Sequence, residues 1–164
     1  MKRILVILGV LGLACLTFVL AASASKPAER VFLFTPNTVL SGPCSFDVNY
    51  EVLANKEYGI AFSDGRFLIT GTFKVRLTNL SSPSKSLDVN ISGPGILRFG
   101  DDGSVSVTAW GNWLFYFNPG MFGPGSPGKL LLTSGFATEV LDANGNVASW
   151  NPPNRTRDAC ALLS

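Results

Sequence analysis

Apolar and polar side chains alternate with a period of two along most of this chain, the signature of strands with one buried face. Between Phe67 and Leu77, the positions Phe67, Ile69, Phe73, Val75 and Leu77 share one side; Thr70, Thr72, Lys74, Arg76 and Thr78 share the other. Leu87, Val89 and Ile91 alternate with Asp88, Asn90 and Ser92. Val105, Val107, Ala109, Gly111, Trp113, Phe115 and Phe117 make one long row. Phe46, Val48, Tyr50 and Val52 make another, which Tyr58, Ile60 and Phe62 continue. Leu130, Leu132, Phe136 and Val140 make the last.

Turn-forming residues separate these rows. Asp64-Gly65 reads as a tight hairpin between Phe62 and Phe67. Ser81 to Lys85, Gly93-Pro94-Gly95, Gly100 to Gly103 and Asn144-Gly145-Asn146 are the other joints. Gly71, Gly111 and Gly135 fall inside strands, where glycine marks a bend or makes room for a facing aromatic. Only Arg157 to Leu163 reads as a helical turn. The pattern predicts an all-β domain of roughly seven to eight antiparallel strands, an up-and-down β-barrel or a β-sandwich. The barrel is preferred because consecutive hairpins close without leaving a long edge.

The first 24 residues stand apart. Lys2 and Arg3 precede an apolar run from Ile4 to Leu20, and Ala22-Ser23-Ala24 offers the small residues of a cleavage site. This predicts an export signal over 1–24 and a single mature domain over 25–164. A retained anchor is the alternative, but no charged stop-transfer cluster follows the run. A lipoprotein acylated at Cys15 is another, but Gly12-Leu13-Ala14 is a poor lipobox. Export leaves two cysteines, Cys44 and Cys160, which predict a disulfide within one chain or between two, in an extracellular compartment.

Removing Lys2 and Arg3 takes the formal net charge from +2 to zero. A neutral surface argues against nucleic acid as a partner and against docking on anionic membranes. The sequence holds no histidine, which removes the usual base of hydrolase triads and the commonest zinc and copper ligand. It holds no phosphate loop, dinucleotide fingerprint or calcium loop, so no cofactor or metal is expected. Asp101-Asp102-Gly103 reads as a solvated turn.

Paired carboxylates are the remaining catalytic option, as glycosidases need only two. Asp47, Glu51, Glu57, Asp64 and Glu139 are available, with Glu51 and Glu139 read as lying on polar faces. Surface charges explain them as well, and a non-enzymatic protein is preferred. Asn79, Asn90 and Asn154 head glycosylation sequons, which matter only in a eukaryotic secretory pathway.

Residues 110–122 are the most unusual in composition: Trp113, Phe115 and Phe117 on one face, Trp110, Leu114 and Tyr116 on the other. A strand buried on both sides gives this pattern. So does a strand at an apolar cavity, with Met121 and Phe122 in its lip. Phe67, Phe73, Trp113, Phe115, Phe122 and Phe136 are therefore the candidate contacts for a small apolar or aromatic ligand. The alternative is a surface that binds carbohydrate or protein through Trp110, Tyr116 and Trp150. Gly111-Asn112-Trp113 matches the Gly-x-Trp triplet of lipocalins, but those proteins carry it in their first strand, and the family is not assigned on three residues.

A broader likeness covers most of the chain. Asn55-Lys56-Glu57, Phe62-Ser63-Asp64-Gly65-Arg66, Thr70-Gly71 and Thr78-Asn79-Leu80 carry its first half; Ser92-Gly93-Pro94, Asp102-Gly103-Ser104 and Asp158-Ala159-Cys160-Ala161 carry its second. In these the chain resembles a group of small, functionally uncharacterised secreted proteins of actinobacteria. The resemblance implies export from a Gram-positive cell, which would make the sequons chance matches, and it supplies no catalytic residues.

Overall fold

The computed structural model describes residues 29–164. The export signal that the sequence predicts over 1–24 lies outside the described residues. The chain forms β1 (Arg30–Phe32), β2 (Thr38–Leu40), β3 (Val48–Ala61), β4 (Arg66–Asn79), β5 (Ser86–Asn90) and β6 (Gly95–Phe99). There follow β7 (Val105–Ala109), β8 (Asn112–Phe117), β9 (Lys129–Ser134), β10 (Ala137–Leu141), β11 (Val147–Asn151), β12 (Arg155–Asp158) and α1 (Ala159–Leu162). All strand pairs are antiparallel.

The fold is all-β, as the alternation predicts, but it is not a closed barrel. Nine strands form an open sheet in the order β1-β3-β4-β6-β7-β10-β11, with β2 also pairing β3 and β5 also pairing β4. Three strands form a second sheet, β12-β9-β8. The described residues form twelve strands where the sequence predicts seven to eight. Short edge strands account for part of the difference, and two long rows that break in the middle account for the rest.

Those breaks share one cause. The Ser104–Phe117 row divides into β7 and β8, and the Leu130–Leu141 row divides into β9 and β10. Pairing runs from Leu141↔Val105 to Ala137↔Ala109, then resumes in the same register from Asn112↔Ser134 to Phe117↔Lys129. The two rows are thus one antiparallel ribbon that turns a corner at Gly111 and Gly135. Both glycines have positive φ, 78° and 128°, a region that L side chains rarely adopt. The Gly135 N–H donates to the Gly111 carbonyl at 2.9 Å and locks the corner. Trp110 and Phe136 pack together outside it, ring centroids 5.8 Å apart. Of the two sequence readings of these glycines, the bend is the correct one.

Past the corner, the ribbon leaves the large sheet and fills the interior that a barrel would leave hollow. Leu114, Tyr116, Leu130 and Leu132 pack on the inner side of β3, β4 and β5 with Val48, Tyr50, Phe73, Val75 and Leu77. Phe115, Phe117 and Leu131 pack the opposite way, with Ala109, Ala137, Val107, Val147 and Trp150. β8 and β9 thus pack on both faces, with β12 largely exposed at the edge, which explains the two-sided apolar pattern of residues 110–117.

The chain closes with α1, capped by the Asp158 carboxylate on the N–H groups of Cys160 and Ala161. The Asn79 side chain donates to the Leu163 carbonyl at 2.9 Å, and the Cys44–Cys160 disulfide joins α1 to the segment before β3. Asn79 is buried, so its sequon offers no acceptor for a glycan.

Candidate functional site

A pocket of about 290 Å³ lies between the inner face of the β3–β4 hairpin and β8. Its position follows from an irregularity in β3. Val52 pairs with Val75 and Ala54 with Lys74, so Leu53 is an extra residue, a β-bulge. Before the bulge Val48, Tyr50 and Val52 face inward; after it Asn55, Glu57, Gly59 and Ala61 stand opposite Phe73, Gly71, Ile69 and Phe67 of the inward row. Inward positions change from even to odd numbers. This corrects the reading in which Tyr58, Ile60 and Phe62 continue the row: Tyr58 lies on the other face, under Arg30 at 4.8 Å, and Phe62 is exposed.

The bulge carries Glu57 into an apolar wall. It is only 9% exposed, and burial raises its pKa above the ordinary carboxylate value. No lysine or arginine lines the pocket. The Tyr50 hydroxyl is pushed up to about 12, first by burial and then by the negative charge of Glu57. Opposite Glu57, Gly71 leaves the wall thin; a Cβ there would run into the Lys56 carbonyl oxygen.

The rest of the lining is aromatic and aliphatic. Phe73 meets Tyr50 edge to face at 6.4 Å, with Ile69 and Ile91 beside them. Leu114 and Tyr116 close the far wall. The Tyr116 hydroxyl lies 3.0 Å from the Ser41 carbonyl and 2.5 Å from Asn118 Oδ1, both outside the lining. Trp113 stands at the rim, its indole N–H donating to the Pro94 carbonyl at 3.3 Å. A Cβ on Gly93 or Gly95 would collide with that indole, so both glycines are there to seat it. Trp113 and Ile91 also border a more polar groove of about 640 Å³ that carries Asp88, Arg155 and Arg157.

The six sequence-derived ligand contacts do not gather at one place. Phe73 and Trp113 line the pocket. Phe67 faces inward on the same sheet, its ring over Gly59. Phe115 and Phe122 pack behind β8, in the cluster on the opposite face of the small sheet. The Phe122 ring lies 4.9 Å from Phe117, with Lys129 Nζ 4.1 Å from its centroid, so the loop after β8 covers that cluster. Phe136 is 53% exposed at the ribbon corner, because Gly135 interrupts the row that would have buried it. The aromatic surface proposed from sequence is likewise divided. Tyr116 packs toward β3 and β4, Trp150 packs at 4.6 Å against Phe115, and Trp110 sits at the corner.

The carboxylates are also separated. Asp64 is tied to Arg66 in the hairpin turn, and Glu51 lies beside Arg76 on the outer face. Of the five, Glu57 alone lines this pocket. Asp102 accepts from the Ser104 N–H at 2.9 Å, a turn as expected. No group of three potential metal ligands occurs among the described residues, and no helix there is long and apolar enough to cross a membrane.

Glu139 is not on a polar face. It is 7% exposed, flanked by Val107 and Trp150 in the sheet, and burial pushes its pKa to about 7. Between the unfolded value of 4.5 and about 7, the folded chain therefore holds more proton than the unfolded chain. Stability falls as pH rises through that window and levels off above it. Glu139→Gln removes the cost of the buried charge, and we expect it to stabilise the protein by up to about 3 kcal/mol above pH 7, with little effect under acid conditions. Urea denaturation at both ends of the window checks this; equal stability of the two proteins in alkaline buffer would refute it.

Sequence reasoning missed Glu57 and Tyr50 as partners in a pocket. The available signal was Val52-Leu53, two adjacent apolar residues that break the alternation and mark the bulge. Comparison with known proteins finds no matching family model, no similar curated protein and no similar solved structure.

Proposed function

We propose that this chain is a secreted, non-enzymatic binding protein that holds a small apolar or aromatic ligand in the pocket between the β3–β4 hairpin and β8. The observation that carries the reading is the pocket itself. Its volume of about 290 Å³ is close to the lower end of small-molecule sites, and its walls are almost wholly apolar, with one carboxylate to orient a guest. Its rim residue Trp113 is held in place by Gly93, Gly95 and Pro94, so the cavity is preformed. The separation of the carboxylates favours binding over carboxylate-pair catalysis. The disulfide fits an oxidising extracellular compartment, and the resemblance to secreted actinobacterial proteins points to export from a Gram-positive cell. Neutral charge after export leaves nucleic acid and anionic membranes as poor partners.

Native mass spectrometry of protein exported by an actinobacterial host tests the reading, with Ile69→Trp as a variant whose pocket is filled. The expected result is an extra mass that wild type retains natively, releases on denaturation and loses in Ile69→Trp. A bare wild-type protein that also fails to retain any member of a set of small apolar compounds would overturn it.

A further inference from the structure

Glu57 is nine-tenths buried, aims into the pocket, and has neither a basic residue nor a hydrogen-bonding side chain to influence its charge; burial alone shifts it. A carboxylate accepts hydrogen bonds and cannot donate them. The apolar wall offers it no donor, so its carboxylate oxygens face the open side of the pocket, where the N–H groups of a guest would meet them. Around it stand the ring systems of Tyr50, Phe73, Trp113 and Tyr116, whose faces attract cations. The strands that complete the lining add only Leu40, Ile69, Ile91 and Leu114, none of them charged. One buried negative group inside an aromatic wall is the arrangement that a positive guest satisfies and a neutral or anionic guest does not.

We infer that the pocket takes an organic ammonium ion: a primary amine on a small apolar or aromatic body, with its N–H groups on the Glu57 carboxylate and its carbon frame between Phe73, Leu114 and Trp113. This rests on the ligand-binding reading above and names the chemistry of the guest. The volume sets the size, since about 290 Å³ admits a single-ring or short-chain amine and excludes a polyamine-linked or polycyclic one. An anion would face Glu57 with no cation to offset it. A neutral alcohol would supply one donor in place of three and no charge.

Calorimetric titration of the intact protein with phenethylamine, phenethyl alcohol and ethylbenzene at neutral pH separates these cases. The expected result is amine binding at least about tenfold tighter than the alcohol, in the range for hydrogen bonds to a charged group. Glu57→Gln should bring the amine down to the level of the alcohol, while Ile69→Trp abolishes both. The wild-type comparison stands without either variant. If the alcohol or ethylbenzene binds as tightly as the amine, the ammonium inference is overturned and the pocket reading survives. If the amine binds Ile69→Trp undiminished, it sits elsewhere and the inference is overturned. If none of the three binds, the ammonium inference is overturned, and the pocket reading is decided by the native mass spectrum.

Discussion

Replacing Cys44 and Cys160 together with serine is expected to destabilise the domain by about 3–5 kcal/mol. The bond joins residues 116 apart in sequence, with Cα atoms 5.4 Å from each other. In the chain-entropy picture a loop of that length adds roughly 5 kcal/mol by restricting the unfolded chain, and residual unfolded structure lowers the figure. The folded state adds a second reason. α1 is a single turn of four residues, too short to hold itself. It stays docked because Ala159 and Leu163 are fully buried, because Asn79 bonds Leu163, and because Cys160 is fixed to Cys44. Both cysteines pack against the core formed by Val48, Leu77 and Leu130, so serine also places a hydroxyl where sulfur was. Urea denaturation of wild type and the double variant measures the effect. A loss below about 1 kcal/mol would mean that packing alone seats the C-terminal turn.

Phe117→Ala should cost about as much, about 3–5 kcal/mol, for a different reason. Phe117 is fully buried, and its ring meets Phe122 at 4.9 Å, Trp150 at 5.3 Å and Phe115 at 6.2 Å. These partners come from the loop after β8, from β11 and from β8 itself, so the cavity left by truncation has walls in three separate elements and cannot collapse easily. The expected readout is a lower urea midpoint, together with a mobile 118–128 loop seen as faster amide exchange. The pocket lies on the other face of the small sheet, where Leu114 and Tyr116 point. Any ligand that wild type retains natively should therefore persist in Phe117→Ala wherever the variant is folded. Loss of ligand with the fold intact would place the binding site behind β8 and refute the pocket assignment.

How far the fold is legible in the sequence can be judged from single residues. The Phe67–Leu77 row is a strand face in the structure, with Phe73, Val75 and Leu77 buried and Lys74 exposed. Asp64-Gly65 is the hairpin turn, closed by Phe62 and Arg66. These features depend on contacts between neighbours in sequence, and the residue types needed are specified locally. Gly111 and Gly135 were visible as odd residues within strands, but their meaning required knowing that they lie side by side across a ribbon. Glu139 faces inward because the alternation restarts at Gly135, so a count carried across that glycine puts it on the polar face. The inward place of Glu57 is hidden from a count that runs across Leu53 and puts Tyr58, Ile60 and Phe62 in the row. A period of two tells which residues share a face only while the ladder is unbroken; one bulge or one corner exchanges the faces beyond it.

The sequence by itself determined an all-β domain, the positions of its tight turns, the C-terminal helical turn and the two cysteines that pair. Each follows from local conformational preference or from the scarcity of a residue type. Tertiary structure alone decided that the sheet stays open, that a glycine-cornered ribbon fills its interior, and that Glu57 ends in an apolar pocket. Those outcomes depend on which distant strands meet and in what register, and register is a property of pairs of segments that neither segment encodes alone.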